Sequence, residues 1–159
     1  MINITYAKPD ELAQVKSLFS AYASSIGIDL TFQDFDRELA ALPGEYTPPS
    51  GCILLAKEET EVVGCVALRR VSGDVCEMKR LYVKPAFREK SIGRKLSESV
   101  IGEARARGYR IMKLDTLPSM REALRLYESL GFRKIAPYRL NPVRGAVFMQ
   151  LDLTTSPFS

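Results

Sequence analysis

A short basic segment between residues 83 and 96 has the composition of an anion-binding site. Four of its five cations lie close to Gly93 in sequence: Arg88, Lys90, Arg94 and Lys95. A strand-like pattern precedes the segment and a helix-like pattern follows it, so Gly93 lies at a predicted helix N-terminus. The unpaired N–H groups and the macrodipole at such a terminus favour phosphate, and a glycine there lets a ligand approach the backbone closely. The segment therefore predicts a pyrophosphate-binding site.

The 159-residue chain contains no histidine, which restricts the chemistry around that site. Ser-His-Asp and Cys-His nucleophilic schemes, HExxH zinc sites and imidazole acid–base catalysis are all excluded. Cys52, Cys65 and Cys76 lie in apolar runs at spacings that fit neither a metal site nor a disulfide set, so we expect buried thiols and no metal. Any reaction must use carboxylates, tyrosine, lysine, cysteine or backbone groups.

Charge is distributed unevenly along the chain. Residues 1–61 hold four Lys/Arg against ten Asp/Glu, whereas residues 79–107 hold nine against three. A basic stretch can bind nucleic acid or a small anion, or it can be a solvated helix face. The sequence shows no recognition helix or aromatic stacking motif, so we expect no nucleic-acid partner.

The composition is that of an ordinary globular domain, with 46% hydrophobic and 26% charged residues. No apolar run approaches the roughly 18 residues that a membrane span requires. The first residues lack the basic start and long apolar stretch of a signal peptide. We therefore expect one cytoplasmic domain over residues 1–159, without a membrane partner.

Hydrophobic periodicity gives the elements that must position the basic segment. The predicted strands span residues 2–7, 52–57, 62–71, 75–83, 110–115, 132–135 and 146–153. The predicted helices run from Leu12 to Ile26, from near Thr31, from Ile92 to Gly108, and from Ser119 to Gly131. Ser119 and Glu122 have the spacing of a capping box for the last helix. This order predicts an α/β fold in which helices flank a mixed sheet.

Three segments, in the expected order, resemble the GNAT acetyltransferase superfamily. Arg88-Glu89-Lys90-Ser91-Ile92-Gly93 is similar to its coenzyme A loop, R/Q-x-x-G-x-G/A. Residues 76–83 (CEMKRLYV) resemble the strand before that loop, and residues 123–132 (ALRLYESLGF) resemble its A-x-x-L-Y-x-x-x-G-F segment. Ser91 stands where the family usually has glycine, and it can keep the turn if its backbone avoids positive φ. We expect this departure to weaken coenzyme A binding more than it weakens the fold. The resemblance implies a single-domain GNAT-like fold with a mostly antiparallel mixed sheet.

The resemblance also implies acetyl-CoA as the co-substrate. The pyrophosphate would meet the backbone N–H groups of Arg88, Glu89, Lys90, Ser91, Ile92, Gly93 and Arg94. The pantetheine arm would lie along Leu81, Tyr82 and Val83, with the acetyl carbonyl at a backbone N–H of that strand. An amine would then attack directly within a ternary complex. Dimers are common in that family, so a homodimer is compatible with the resemblance.

Two side chains are candidates for proton transfer. By its motif position Tyr127 is a general acid, although an aromatic on the apolar face of a helix can equally be a core residue. Glu77 is a candidate general base, and because an unperturbed glutamate is a weak base, burial would have to raise its pKa. The alternative for Glu77 is a salt-bridged strand carboxylate.

The acceptor side is less defined by the sequence. By analogy with the family, Tyr138, Asn141 and Arg144 are candidate acceptor contacts. The acidic residues Asp29, Asp34, Asp36 and Glu38 are expected on the same side, which favours an amine of zero or positive net charge. We favour a small molecule over a protein as the acceptor. The alternative function is a non-catalytic acetyl-CoA-binding or sensor module, in which Glu77 and Tyr127 would be dispensable.

Overall fold

The computed structural model describes residues 1–26, 35–139, 141 and 143–155, with only the backbone at Glu89. The helix predicted to begin near Thr31 is described from Phe35 onward. The acidic residues Asp29 and Asp34 lie outside the described residues, as do residues 140 and 142 within the predicted acceptor loop.

Seven strands and four helices form the described part of the chain. The strands are β1 Ile2–Tyr6, β2 Cys52–Glu58, β3 Glu61–Ser72, β4 Val75–Val83, β5 Ile111–Thr116, β6 Arg133–Ile135 and β7 Val147–Asp152. The helices are α1 Leu12–Ile26, α2 Phe35–Ala41, α3 Ile92–Ala106 and α4 Arg121–Ser129. Short 3-10 turns span Pro9–Glu11, Gly44–Tyr46 and Pro85–Lys90. This order agrees with the predicted one.

All strands belong to one sheet with the order β1-β2-β3-β4-β5-β7-β6. Only the β4–β5 pair is parallel, so the predicted mixed, mostly antiparallel sheet is confirmed. Pairing between β4 and β5 covers three positions and ends at Glu77 and Lys113. Beyond that point the two strands separate, and a cleft opens between them in the middle of the sheet.

Helices cover both faces of the sheet and give the protein two apolar cores. On one face, Ile92, Leu96 and Val100 of α3 are fully buried against the sheet. On the other, Val15 and Phe19 of α1 pack into a separate cluster with the strands. The steps of three and four in the sequence produce these faces, because such residues recur on one side of a helix. The sheet and its central cleft are therefore held between two layers.

A β-bulge interrupts β4 just before the cleft. Cys65 pairs with Tyr82 and Ala67 pairs with Lys79, so two residues of β4 oppose Val66 alone. The first of them, Arg80, has φ of 60°. A bulge of this kind shifts the alternation of side chains along a strand. As a result Lys79 and Arg80, although adjacent in sequence, both lie on the α1 and α2 side of the sheet.

The predicted capping box of α4 is wrong. The N-cap residue is Met120 rather than Ser119, and no side chain caps this helix. The reason is a turn in which the Met120 N–H donates to the Leu117 carbonyl (3.0 Å), and the first helical bond then joins Leu124 N–H to the Met120 carbonyl. The helix thus starts one residue later than the Ser-x-x-Glu spacing requires.

Ser91 joins the Pro85–Lys90 turn to α3 in a left-handed conformation, with φ of 59° and ψ of 24°. The condition that its backbone avoids positive φ is therefore not met. Left-handed backbone costs a residue with a Cβ roughly 1–2 kcal/mol, while glycine adopts it freely. The chain accepts this strain at the position where the motif usually carries glycine.

We expect Ser91→Gly to raise the free energy of unfolding by about 0.5–1 kcal/mol, because relief of the strain outweighs the added entropy of an unfolded glycine. Urea denaturation measures the change. The matched control is Ser17→Gly, at an exposed position inside α1. There the same substitution should destabilise the protein, since glycine disfavours a helix interior. Destabilisation by both substitutions would contradict the strain at Ser91.

Candidate functional site

The cleft between β4 and β5 is lined by polar and apolar side chains from several elements. Its polar lining residues are Tyr22, Lys79, Arg80, Asp115, Thr116, Tyr127 and Asn141. Met78, Leu81 and Leu114 supply apolar walls from the two strands. We refer to this space as the cleft.

A larger groove of about 700 Å³ continues from the cleft along the end of β4. One wall is formed by Leu81, Tyr82, Val83, Arg88, Ser91, Gly93 and Arg94, and the other by residues 119–123 and 126. The cleft and the groove share Tyr22, Leu81 and Met120, so they are contiguous. We refer to the second space as the groove. Most of the residues predicted to hold the cofactor therefore meet in one place.

The N-terminus of α3 supplies hydrogen-bond donors to the groove. The bond from Lys95 N–H to the Ser91 carbonyl (3.2 Å) closes the first turn, so the N–H groups of the preceding helical residues, 92–94, have no acceptor within the helix. A Cβ built on Gly93 would meet only the Leu126 side chain, at an ordinary 3.7 Å. The end of the helix is thus open to an anion, as the sequence predicted.

The predicted cations differ in position. Arg88 donates through Nε to the Val83 carbonyl (2.9 Å) and stacks over Tyr82, while Arg94 donates to the Ser129 hydroxyl (2.5 Å). Both line the groove. Lys90 instead forms an ion pair with Glu58 of β2 (3.1 Å) and does not line it. The Ile92 side chain is fully buried in the core, so this residue can contribute only its backbone.

Glu77 is the last residue of β4 that pairs with β5, and its side chain is 0% exposed. Its carboxylate accepts hydrogen bonds from Arg69 Nε (2.8 Å), the Tyr138 hydroxyl (2.5 Å) and Arg139 Nη2. Burial pushes the pKa of Glu77 upward, but the charges of Lys79, Arg139 and Arg69 together outweigh it, and the pKa is lowered. The condition that burial raises this pKa is therefore not met, and the geometry matches the salt-bridged alternative.

Tyr127 lies on the inner face of α4 and is 7% exposed. Its ring packs against Phe132 at a centroid distance of 5.7 Å, and the residue also lines the cleft. Burial raises the pKa of its hydroxyl, and the nearby Tyr22 and Asp115 raise it further. The hydroxyl is therefore protonated at neutral pH and able to donate a proton.

The predicted acceptor contacts separate into two groups. Tyr138 contacts Glu77, and Asn141 donates through Nδ2 to Asp115 Oδ2 (3.2 Å) at the rim of the cleft. Arg144 is exposed and does not line the cleft. Asp36 is also exposed, and the charge of Glu38 is balanced by two hydrogen bonds from Arg80 (2.9 and 3.0 Å). Of the predicted acidic residues that the structure describes, therefore, neither Asp36 nor Glu38 brings an unbalanced negative charge into the cleft.

Sequence reasoning missed Lys79, Arg80 and Asp115 as cleft residues. A signal existed in residues 76–83, where two adjacent cations interrupt the alternation of an otherwise buried strand. Such a break is typical of a bulge. No comparable signal pointed to Asp115, because an acidic residue at the end of a strand is more often solvated.

The splayed sheet, the bulged strand and the open helix terminus together define an acyltransferase-type fold. Residues 13–132 match the Acetyltransferase (GNAT) family. An uncharacterised N-acetyltransferase of Schizosaccharomyces pombe is 41% identical over 156 residues, which cover 96% of each chain.

Solved structures agree with these sequence comparisons. A GNAT-family acetyltransferase of Staphylococcus aureus superposes with a TM-score of 0.81 at 22% identity, over 97% of this chain and 100% of that one. An acetyltransferase of Salmonella typhimurium, solved with acetyl-CoA, gives a TM-score of 0.70 at 23% identity, over 98% and 96%.

The chain belongs to the GNAT acetyltransferase family. The predicted family, the fold, the enzyme class of acetyl-CoA-dependent acetyltransferase and acetyl-CoA as co-substrate are confirmed. Separately, none of the helices in the described ranges is long and apolar enough to cross a membrane.

Proposed function

We propose that this protein transfers the acetyl group of acetyl-CoA, bound in the groove, directly to an amine that occupies the cleft. The observation that carries the proposal is the continuity of the two spaces at Leu81. An anion held at the N-terminus of α3 would place the rest of a long thioester along β4 and its reactive end in the cleft. There the reacting groups would be positioned and shielded from water.

Each part of the chain then has a task in the proposed reaction. The N–H groups of residues 88–94 bind the pyrophosphate, and Leu81, Tyr82 and Val83 bind the pantetheine arm. A backbone N–H of β4 stabilises charge on the acetyl oxygen. The acceptor nitrogen bonds to the acetyl carbon and sheds a proton to a base in the cleft, while Tyr127 protonates the departing sulfur. Glu77 holds Arg69, Tyr138 and Arg139 in place.

Direct attack is favoured over an acetylated cysteine. Cys52, Cys65 and Cys76 are buried, and none of them lines the cleft. Burial raises the pKa of each thiol, to about 11, 12 and 12 respectively. A thiol is nucleophilic only as the thiolate, so these residues are inert at neutral pH.

The acceptor that fits the proposal is a small amine of zero or positive net charge. Asp115 lines the cleft and retains a carboxylate oxygen beyond the one bound by Asn141. That carboxylate would attract an ammonium group. Tyr138 and Asn141 stay as proposed acceptor contacts, and Arg144 would act only at the outer rim. We propose cytoplasmic action on a small molecule, without nucleic acid or membrane, and leave a homodimer as a compatible assembly.

The proposal is tested by measuring the release of free CoA thiol from acetyl-CoA against a panel of alkylamines, aryl amines, amino acids and diamines. Acceptor-dependent release and a mass-detected N-acetyl product are expected. Binding of acetyl-CoA without transfer to any amine would instead support the non-catalytic module. A preference for dicarboxylic amines would contradict the proposed role of Asp115.

We expect Gly93→Asp to weaken acetyl-CoA binding at least about tenfold, equivalent to 1.4 kcal/mol, because a carboxylate would stand beside the bound pyrophosphate. Isothermal titration calorimetry measures the change. Gly102→Asp is the matched control, since it places the same residue in α3 at a position with open space around it. Unchanged affinity in a folded Gly93→Asp variant would remove the N-terminus of α3 from the site.

A further inference from the structure

Lys79 is a buried cation in the wall of the cleft and has no role in the mechanism so far. It lies on β4, one residue before the bulge, and is 6% exposed. It lines the same space as Tyr127 and Leu81. A lysine is rarely buried to this degree unless it is paired, and Lys79 is buried in the space where the amine must react.

The bulge explains why Lys79 differs from an ordinary lysine. Because the strand gains a residue, Lys79 and Arg80 lie side by side on one face instead of alternating. Arg80 is 3% exposed, is bound by Glu38 and lies between the rings of Tyr22 and Phe35, so it keeps its charge. Burial, followed by the charge of Arg80, lowers the pKa of Lys79 to about 7.

Other groups face Lys79 from every side. Among the described residues, the charges that act on Lys79 include those of Arg80 and Glu77 on β4, Arg139 in the loop before β7 and Arg69 on β3. Across the cleft stand Asp115 of β5, Tyr22 of α1 and Tyr127 of α4. The attraction of Glu77 for the Lys79 ammonium is offset, because Glu77 also binds Arg69 and Arg139. Near neutral pH, therefore, an appreciable share of Lys79 is a neutral amine.

We propose that Lys79 accepts the proton that the acceptor nitrogen sheds as it attacks the acetyl carbon. This inference rests on the proposed acetyl transfer. An acceptor bound as an ammonium first loses one proton to solvent, which leaves a neutral nitrogen with a lone pair. As that nitrogen attacks, the C–N bond forms and the C–S bond breaks, the sulfur takes the Tyr127 proton, and the Lys79 amine becomes an ammonium. A proton returned from Lys79 to the Tyr127 phenolate, directly or through water, restores both groups for the next turnover. Lys79 thereby supplies the acid–base function that histidine provides in many other enzymes.

The first test measures the titration of Lys79 in the intact protein, without any acceptor. The protein is labelled with ¹³C-lysine, and the ε-CH₂ signals are followed from acid to alkaline pH. The signal that disappears in Lys79→Arg belongs to Lys79, and we expect its midpoint near 7. The signals that persist in Lys79→Arg come from the remaining lysines and serve as the internal reference. Titration of Lys79 together with the others would overturn the inference.

The second test uses the best alkylamine of the acceptor panel. Alkylamines lose their own proton well above neutral pH. A fall in the wild-type kcat as the pH drops through about 7, the acidic limb of the profile, therefore reports the protonation of a group of the enzyme. We expect Lys79→Met and Lys79→Arg to lower kcat at least about 100-fold and to remove that limb, while acetyl-CoA affinity stays within about threefold. Lys16→Met, at an exposed position of α1, is the matched control and should keep the wild-type profile.

Three results would overturn the role of Lys79 and leave acetyl transfer intact. The first is titration of Lys79 together with the other lysines. The second is an acidic limb of the kcat profile that survives in Lys79→Met but disappears in Asp115→Asn. The third is acetylation of Lys79 itself on incubation with acetyl-CoA alone. The last, detected by peptide mass spectrometry, would make Lys79 an acceptor rather than a base. Failure of every amine to react, despite bound acetyl-CoA, would instead contradict the transfer itself and the role of Lys79 with it.

Discussion

Glu77→Gln is expected to lower the free energy of unfolding at pH 7 by about 3 kcal/mol, because removing one partner of a buried ion pair leaves the other charges uncompensated. The partners left behind are Arg139 and Arg69, and among the described residues Arg69 would keep only its ion pair with the exposed Glu45. Urea denaturation at constant pH measures the loss.

The pH dependence of that loss identifies its origin. The pKa of Glu77 is lowered from its usual 4.5, so the carboxylate stabilises the folded protein fully above pH 4.5. That stabilisation disappears as the pH falls through the lowered pKa of the folded protein. The difference between the wild type and Glu77→Gln should therefore shrink as the pH falls below 4.5.

A matched control for Glu77→Gln is Glu61→Gln, in an exposed position of β3. It should change stability by less than about 0.5 kcal/mol, as is usual for surface substitutions. If Glu77→Gln were equally mild and instead flattened the acidic limb of kcat/KM, Glu77 would be the general base rather than an organising carboxylate.

Tyr127→Phe is expected to lower kcat by roughly ten- to a hundredfold, the low end of general-acid catalysis, because a thiolate is a tolerable leaving group. The ring and its contact with Phe132 are retained, so packing should survive. Acetyl-CoA affinity should stay within about threefold, since the hydroxyl acts on the departing sulfur. Pre-steady-state measurement of the first turnover isolates the chemical step.

Tyr109→Phe is the matched control for Tyr127→Phe. Tyr109 is also a buried tyrosine, but its hydroxyl donates to the Ser50 carbonyl and it does not line the cleft. Its loss should affect stability and not kcat. A wild-type first-turnover rate in Tyr127→Phe would make Tyr127 a core aromatic.

The sequence was sufficient for the order of elements and for the position of the α3 N-terminus, because both depend on local patterns. Steps of three and four placed α1 and α3, and a basic segment with one glycine marked an open helix terminus. Those features require only neighbours along the chain, so they can be read without tertiary structure.

The proton-transfer groups could not be predicted in the same way. Whether burial or neighbouring cations control the pKa of Glu77 depends on Arg69 and Arg139, which are eight and 62 residues away in sequence. The environment of Lys79 depends on a bulge whose register is set by β3. Long-range contacts of this kind determine the sign of a pKa shift, and local sequence does not contain them.

The bond between Glu38 and Arg80 limits how this enzyme can diversify. It fixes α2 to the bulge of β4, which is the strand proposed to hold the acetyl group. A mutation that moved α2 to admit a different acceptor would also shift the reactive backbone, and selection for a new substrate would then compromise turnover. The loop before β7 has no such tie to the bulge among the described residues. New specificities should therefore arise more easily at Asn141 and Arg144 of that loop than in α2, whereas Tyr138 and Arg139 of the same loop are tied to β4 through Glu77.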